Sequence, residues 1–204
     1  MKYKHIYLIR HGQTDYNLQG IVQGSGVDTS LNSTGLFQAQ AFFEAYQHVP
    51  FDKIYTSALR RTVETIDPFL KKGIPLEQLP GLNEFSWGCK EGVPLTDENH
   101  QYYMQVTTDW QKGIYETCIE GGDNPLQVRA RQEKALEKIM ANKDEETVLI
   151  CMHGRAMRVL LCILLNYELS SMDFFPHTNT CLYHLVYTGS MYQILKFNDI
   201  SHLQ

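Results

Sequence analysis

Apolar and polar positions along the chain follow two rhythms, one of period two or continuous, the other near 3.6, with short polar punctuation between them. Residues 6–9 are a short apolar run ended by Arg10-His11-Gly12, which reads as a buried strand feeding a loop. Residues 20–30, rich in Gly, Ser and Asp, predict a long loop. Asn32 or Ser33 can cap a helix to about Gln47, with Leu36, Ala39, Gln40 and Phe43 on one face. Residues 51–56 read as a second strand. Ser57 then stands at a helix start, where it is expected to act as a cap, and Leu59, Thr62, Val63, Ile66 and Phe69 keep helical spacing until Lys72-Gly73. Pro125 suits the first turn of a helix to about Asn142, with Val128, Ala135, Leu136 and Ile139 turned inward. Residues 147–152 form a clean buried strand, followed by His153-Gly154 and a helix through Leu165. The runs 180–187 and 192–197 flank Thr188-Gly189-Ser190 and predict a hairpin.

Strands alternating with helical stretches imply an α/β fold of three layers, a mostly parallel central sheet flanked by helices. The chain reads as a single domain over residues 1–204, with a small cap-like insertion at roughly 81–124, where the sequence is aromatic, polar and irregular. In such sheets ligands bind beyond the carboxyl ends of the strands. Arg10-His11, residues 57–61 and His153 all follow predicted strands, so they should meet at that edge.

Composition narrows the chemistry. A net charge of -5 argues against wrapping a nucleic-acid backbone, but a local arginine cluster still governs its own pocket. No apolar run is long enough for a signal peptide or a membrane span. Five cysteines, an odd number with no CxxC, fit a reducing compartment, so the cytoplasm is the expected location. No metal-ligand spacing appears among the eight histidines.

Arg10-His11-Gly12 holds the first candidate chemistry. A neutral imidazole is a good nucleophile toward phosphorus when its lone pair is free. A neighbouring guanidinium fits phosphate oxygens two at a time and keeps the imidazole unprotonated by like-charge repulsion. Gly12 lets backbone N–H groups approach an anion closely. Alone, such a tripeptide is more often an inert strand end. Here it is followed by Gln13-Thr14 and Asn17, then by Ser57-Ala58-Leu59-Arg60-Arg61-Thr62 after the second strand. Leu82-Asn83-Glu84 leads into Trp87-Gly88-Cys89-Lys90-Glu91-Gly92, and residues 148–152 end in His153-Gly154.

This ordered set resembles the histidine phosphatase superfamily, also called phosphoglycerate mutase-like, from Ile6 to about Leu185. The resemblance implies that His11 is the nucleophile that becomes phosphohistidine. Arg10, Asn17, Arg61 (not Arg60), His153 and Gly154 are implied as the rest of the phosphate pocket. Glu84 is implied as the proton donor to the leaving alcohol. It implies a hydrolase of small phosphorylated metabolites that uses no metal and no cofactor. Two rivals stand beside it: a cofactor-dependent phosphoglycerate mutase, for which residues 92–120 are short, and a non-catalytic phospho-ligand binding module. The chain departs from the family pattern at Gln13, at Thr62 and at Gly121-Gly122-Asp123-Asn124. Arg155 and Arg158 read as solvated helix charges, Cys151 as a buried strand residue, and Tyr102, Tyr103, Met104 and Trp110 as core ahead of cap.

Overall fold

The computed structural model describes residues 3–94 and 96–204. The strands are β1 (Lys4–Arg10), β2 (Lys53–Thr56), β3 (Leu76–Gln78), β4 (Thr147–Met152), β5 (Leu182–Tyr187) and β6 (Tyr192–Asp199). They form one sheet in the order β3-β2-β4-β1-β5-β6. The first four are mutually parallel, whereas β5 runs antiparallel to β1, and β6 to β5. β4 lies between β1 and β2, and Val148 through Met152 have no exposed surface. A strand covered on both faces has no need of polar alternation, which is why it reads as one apolar run.

The helices are α1 (Asp15–Gln19), α2 (Ser33–Tyr46), α3 (Arg60–Leu70), α4 (Asp97–Gln111), α5 (Pro125–Ala141) and α6 (Gly154–Leu165). Side chains alternate across the sheet into two cores. Ile6, Leu8, Val148 and Ile150 pack with Val128, Ile139 and Leu160 of α5 and α6. Ile9, Ile54, Leu149 and Cys151 pack with Phe42, Ile66 and Phe69 of α2 and α3. The result is the three-layer architecture the sequence implies.

Several expectations shift in detail. On α2 the buried face is Gly35, Ala39, Phe42 and Tyr46, while Leu36 is 55% exposed and Gln40 is also exposed. The first turn explains the rotation. Asn32 caps it by accepting the Gly35 N–H at 2.9 Å, and Gly35 lies so close to the chain after β1 that an added Cβ would sit 2.1 Å from the Gln13 carbonyl oxygen. Gly12 is equally constrained, at 2.6 Å from the Gly35 oxygen, so the two glycines let the loop rest on the helix end. Strand β2 begins at Lys53, with Phe51 packed below it in the second core. The short β3, Leu-Glu-Gln, carries no apolar pattern and was not anticipated. The predicted α5 forms from Pro125 in its first turn, with a reciprocal cap between Asn124 and Gln127.

Candidate active site

The parallel strands deliver their chemistry to one edge. His11 follows β1, Ser57 follows β2 and His153 follows β4, and the loops are stitched together where His11 N–H donates to the Met152 carbonyl at 3.0 Å. His11 is 3% exposed and His153 is fully buried, with ring centroids 5.2 Å apart.

Hydrogen bonding fixes the tautomer of each ring. His11 Nδ1 lies 2.7 Å from the Gly12 carbonyl oxygen. A carbonyl only accepts, so Nδ1 carries the proton and Nε2 keeps its lone pair. His153 is the mirror case. Its Nδ1 accepts from Arg61 Nε at 3.2 Å, so the proton resides on Nε2, 2.8 Å from Ser57 Oγ. Burial, then the charges of Arg61 and Arg10, hold the His11 pKa well below its usual value. Burial, Arg61, His11 and Arg10 do the same to His153. Both rings are therefore neutral at pH 7.

Arg61 has no exposed surface. Its Nη1 donates to the Val27 carbonyl at 2.7 Å and its Nη2 to the Gly24 carbonyl at 3.1 Å, so the loop of residues 20–30 orients it. Burial lowers its pKa to about 10, which leaves it a cation near neutrality. Arg10 donates through Nη1 to the His177 carbonyl at 2.6 Å, while its buried Nε has no partner. Asn17 closes a reciprocal cap on α1, its Oδ1 accepting the Thr14 N–H at 3.2 Å.

Glu84 is 7% exposed. Its Oε1 accepts the Ala156 and Phe85 N–H groups at 2.8 and 3.0 Å, and its Oε2 accepts the Arg155 N–H at 3.1 Å. The carboxylate thus sits at the N-terminus of α6, where free N–H groups favour an anion. Arg131 clamps the preceding loop by donating to the carbonyls of Gly81, Asn83 and Glu84. Gly154 has an exceptional neighbour: a Cβ there would lie 2.9 Å from the His177 ring.

Arg10, Asn17, Glu84 and Gly154 line a cavity of about 310 Å³. Arg10 and Gly154, chain neighbours of His11 and His153, are therefore in its wall, whereas His11, Arg61 and His153 themselves are buried and do not line it. Ile21, Val22, Trp87 and Tyr103 make up much of the remaining wall. Four of the seven residues singled out in the sequence thus line one cavity, while the other three, His11, Arg61 and His153, are buried against one another.

Other readings are corrected. Ser57 is not the helix cap, which is Leu59; its hydroxyl instead meets His153 and Thr62 Oγ1 and accepts the Leu59 N–H. Arg155 and Arg158 are not solvated. Both pair with Asp173, Arg155 at 2.5 Å, and Arg155 also bonds the Tyr103 hydroxyl. The aromatic segment divides: Trp110 is core, Tyr103 lines the cavity, and Tyr102 and Met104 are exposed. Asp123 accepts the Ser86 N–H at 2.9 Å and lies 3.6 Å from Arg131, so it braces the Glu84 loop from behind. His177 and Asn179 escaped the sequence reading. Their one signal is a polar cluster, His177-Thr178-Asn179-Thr180, placed directly before a strand that pairs with β1.

Among the described residues, no cluster of His, Cys, Asp or Glu is arranged to hold a metal, and no helix is long and apolar enough to cross a membrane. The chain is 28% identical over 180 residues to an adenosylcobalamin/alpha-ribazole phosphatase of Salmonella typhimurium, covering 86% of this chain and 87% of the other. It is 31% identical over 207 residues to the phosphatase PhoE of Bacillus subtilis, covering 97% and 96%. The solved structure of Bacillus stearothermophilus YhfR superposes with a TM-score of 0.84 at 26% identity, covering 98% of this chain and all of that one. The family profile described as histidine phosphatase superfamily (branch 1) matches residues 6–200, and the chain belongs to that family.

Proposed function

We propose that the protein hydrolyses phosphomonoesters of small metabolites through a phosphohistidine formed at His11 Nε2. The observation that carries this reading is the His11 Nδ1 bond to the Gly12 carbonyl, which leaves Nε2 unprotonated beside two guanidiniums. In the first half-reaction the Nε2 lone pair attacks phosphorus and the bond to the ester oxygen breaks. The departing oxygen takes its proton from Glu84, which must enter this step as the acid, its proton on the Oε2 lone pair that the Arg155 N–H leaves free, since an alkoxide is a poor leaving group. Arg10, Arg61 and Asn17 take up charge on the remaining phosphoryl oxygens, and the Nε2–H of His153 joins them by turning from Ser57 Oγ, its partner in the free site. In the second half, Glu84 accepts a proton from water as that water attacks phosphorus, and the P–N bond breaks, returning the lone pair to His11. No step requires a metal ion.

The cavity favours hydrolysis over the mutase reading. A bisphosphoglycerate-dependent mutase must hold a second anionic group on its substrate, whereas the wall beyond the phosphate residues mixes Ile21, Val22, Trp87 and Tyr103 with Gln23, His100 and His177, and Arg155 is its one further guanidinium. Arg155 is on the same wall, where it is drawn to Asp173 and to the Tyr103 hydroxyl.

The test is phosphate release from benzyl phosphate and p-nitrophenyl phosphate by the wild type, His11→Ala and Glu84→Gln. His11→Ala should lose at least about a thousandfold on both esters. Glu84→Gln should lose about a hundredfold on the benzyl ester and much less on the nitrophenyl ester, whose leaving group needs no proton. Equal losses on both esters would remove Glu84 from the proton role. Conversion of 3-phosphoglycerate to 2-phosphoglycerate without free phosphate would support the mutase instead. Phosphate binding without any turnover would support a non-catalytic module.

A further inference from the structure

We infer that Asn179 is a positioning residue, which sets both the nucleophilic loop and the phosphate-binding Asn17 from the far side of β1. The inference rests on the phosphohistidine reading of the site and adds to it a residue that no motif of the sequence contains.

The topology explains why this position has such reach. Because β5 runs antiparallel to β1, with Leu182 opposite Ile9, the residues entering β5 lie beside the carboxyl end of β1. Residues 177–180 touch four of the seven site residues. The His177 carbonyl accepts from Arg10 Nη1, and its ring abuts Gly154. Thr180 N–H donates to the Arg10 carbonyl at 3.2 Å. Asn179 Nδ2 donates to the His11 carbonyl at 3.0 Å and to Asn17 Oδ1 at 3.3 Å.

The two hydrogens of one amide nitrogen therefore join the nucleophile's own backbone to the pocket asparagine. Asn17 Oδ1 already accepts the Thr14 N–H, so the second bond engages its other lone pair. With the oxygen held twice, the amide cannot rotate, and its N–H groups are left as the donors for an anion in the cavity that Asn17 lines. Thr180 bears the conformational consequence. Its φ is +54°, a left-handed value that β-branched residues rarely adopt, and it is fully buried with its Oγ1 3.2 Å from His202 Nε2. Strain of this kind persists where the surroundings impose it, and it concentrates at functional sites.

The test uses Asn179→Ala and Asn179→Leu, the second restoring the volume without a donor. Binding of vanadate, an oxyanion able to adopt the five-coordinate geometry of the transferring phosphoryl group, is measured alongside kcat and KM for p-nitrophenyl phosphate. Both variants should bind vanadate at least about fivefold more weakly and lose about tenfold in kcat, with Leu no better than Ala. In an Asn17→Ala background the effect of Asn179→Ala on vanadate should shrink at least about threefold, because one substitution has already removed the shared contact. Recovery by Leu would reduce Asn179 to a space-filler, and strictly multiplicative losses in the double variant would sever it from Asn17. Either result overturns the inference. Vanadate binding requires no turnover, so it decides the role of Asn179 even if the wild type hydrolyses nothing, an outcome that would sink the hydrolase reading separately.

Discussion

The same sheet carries two pairs of imidazoles at almost the same spacing, and only one pair is arranged for chemistry. His11 and His153 have ring centroids 5.2 Å apart, and His5 and His184 have theirs 5.3 Å apart. His184, like the site pair, has its pKa lowered by burial, to about 4. The difference lies in what the ring nitrogens meet. His5 Nδ1 and His184 Nε2 satisfy one another at 3.1 Å, and His184 stacks on Tyr7 at 4.0 Å. In the site pair, a carbonyl and a guanidinium occupy the two Nδ1 atoms, so one Nε2 keeps a lone pair and the other keeps a proton. Burial makes a neutral imidazole; only the hydrogen bonds decide which ring nitrogen keeps a lone pair and which keeps a proton.

The largest test of this contrast exchanges the pairs. His153→Ala should reduce kcat about a hundredfold to a thousandfold, the usual cost of removing one donor to a developing oxyanion. His184→Ala should leave kcat within about threefold while lowering Tm, since it removes stacked ring area and no donor to substrate. Steady-state kinetics with p-nitrophenyl phosphate and a thermal melt read both quantities. A catalytic loss in His184→Ala as large as that in His153→Ala would erase the distinction.

The site pair was legible in the sequence because its members follow apolar runs that can only be buried strands. Residues 6–9 and 148–152 fix where His11 and His153 emerge, and parallel pairing brings those ends together. Arg61, which alone reads as a solvated helix charge, was singled out only by its resemblance to the family motif after β2, and only the structure shows the Gly24 and Val27 carbonyls that orient it. What stayed hidden depends on contacts between segments distant in the chain. Asn179 acts from a strand entrance 162 residues beyond Asn17, and Arg155 looked like a solvated charge because Asp173 lies outside its helix. The exposed side of α2 was misjudged for the same reason. A glycine contact with the loop after β1, not the apolar count, sets its rotation.

A smaller effect should come from Ser57, which holds the proton side of His153. Replacing it with Ala removes the 2.8 Å partner of Nε2 and leaves the Arg61 bond to Nδ1 in place. The tautomer is then fixed from one side only. A loss on the order of tenfold in kcat is expected, as when an outer partner of an oriented histidine is deleted. Ser57→Thr, which restores a hydroxyl, should recover part of it. A loss as deep as that of His153→Ala would instead make Ser57 a direct donor to the phosphoryl group.

The smallest effect is thermodynamic, and it reaches beyond the site pair. His11 and His153 are held well below their ordinary pKa, His177 is lowered to about 3 and His184 to about 4, in each case chiefly by burial. Unfolding returns each ring to a pKa of about 6.5. Above that pH neither state binds the proton, and stability does not depend on these groups. As pH falls below about 6.5, the unfolded chain takes up protons that the folded chain refuses, so unfolding becomes easier. Each such histidine contributes a slope of up to about 1.4 kcal/mol per pH unit, continuing down to its folded pKa. Between pH 6.5 and 5, above the range where most carboxylates titrate, urea unfolding should therefore show a steady loss of stability with acidification. His184→Gln should reduce that slope by up to about one proton's share, and His153→Gln should do the same, although only the latter disables the site. If stability stays flat through this window, these imidazoles are charged or solvated in the folded protein, and the neutral nucleophile at His11 loses its physical basis.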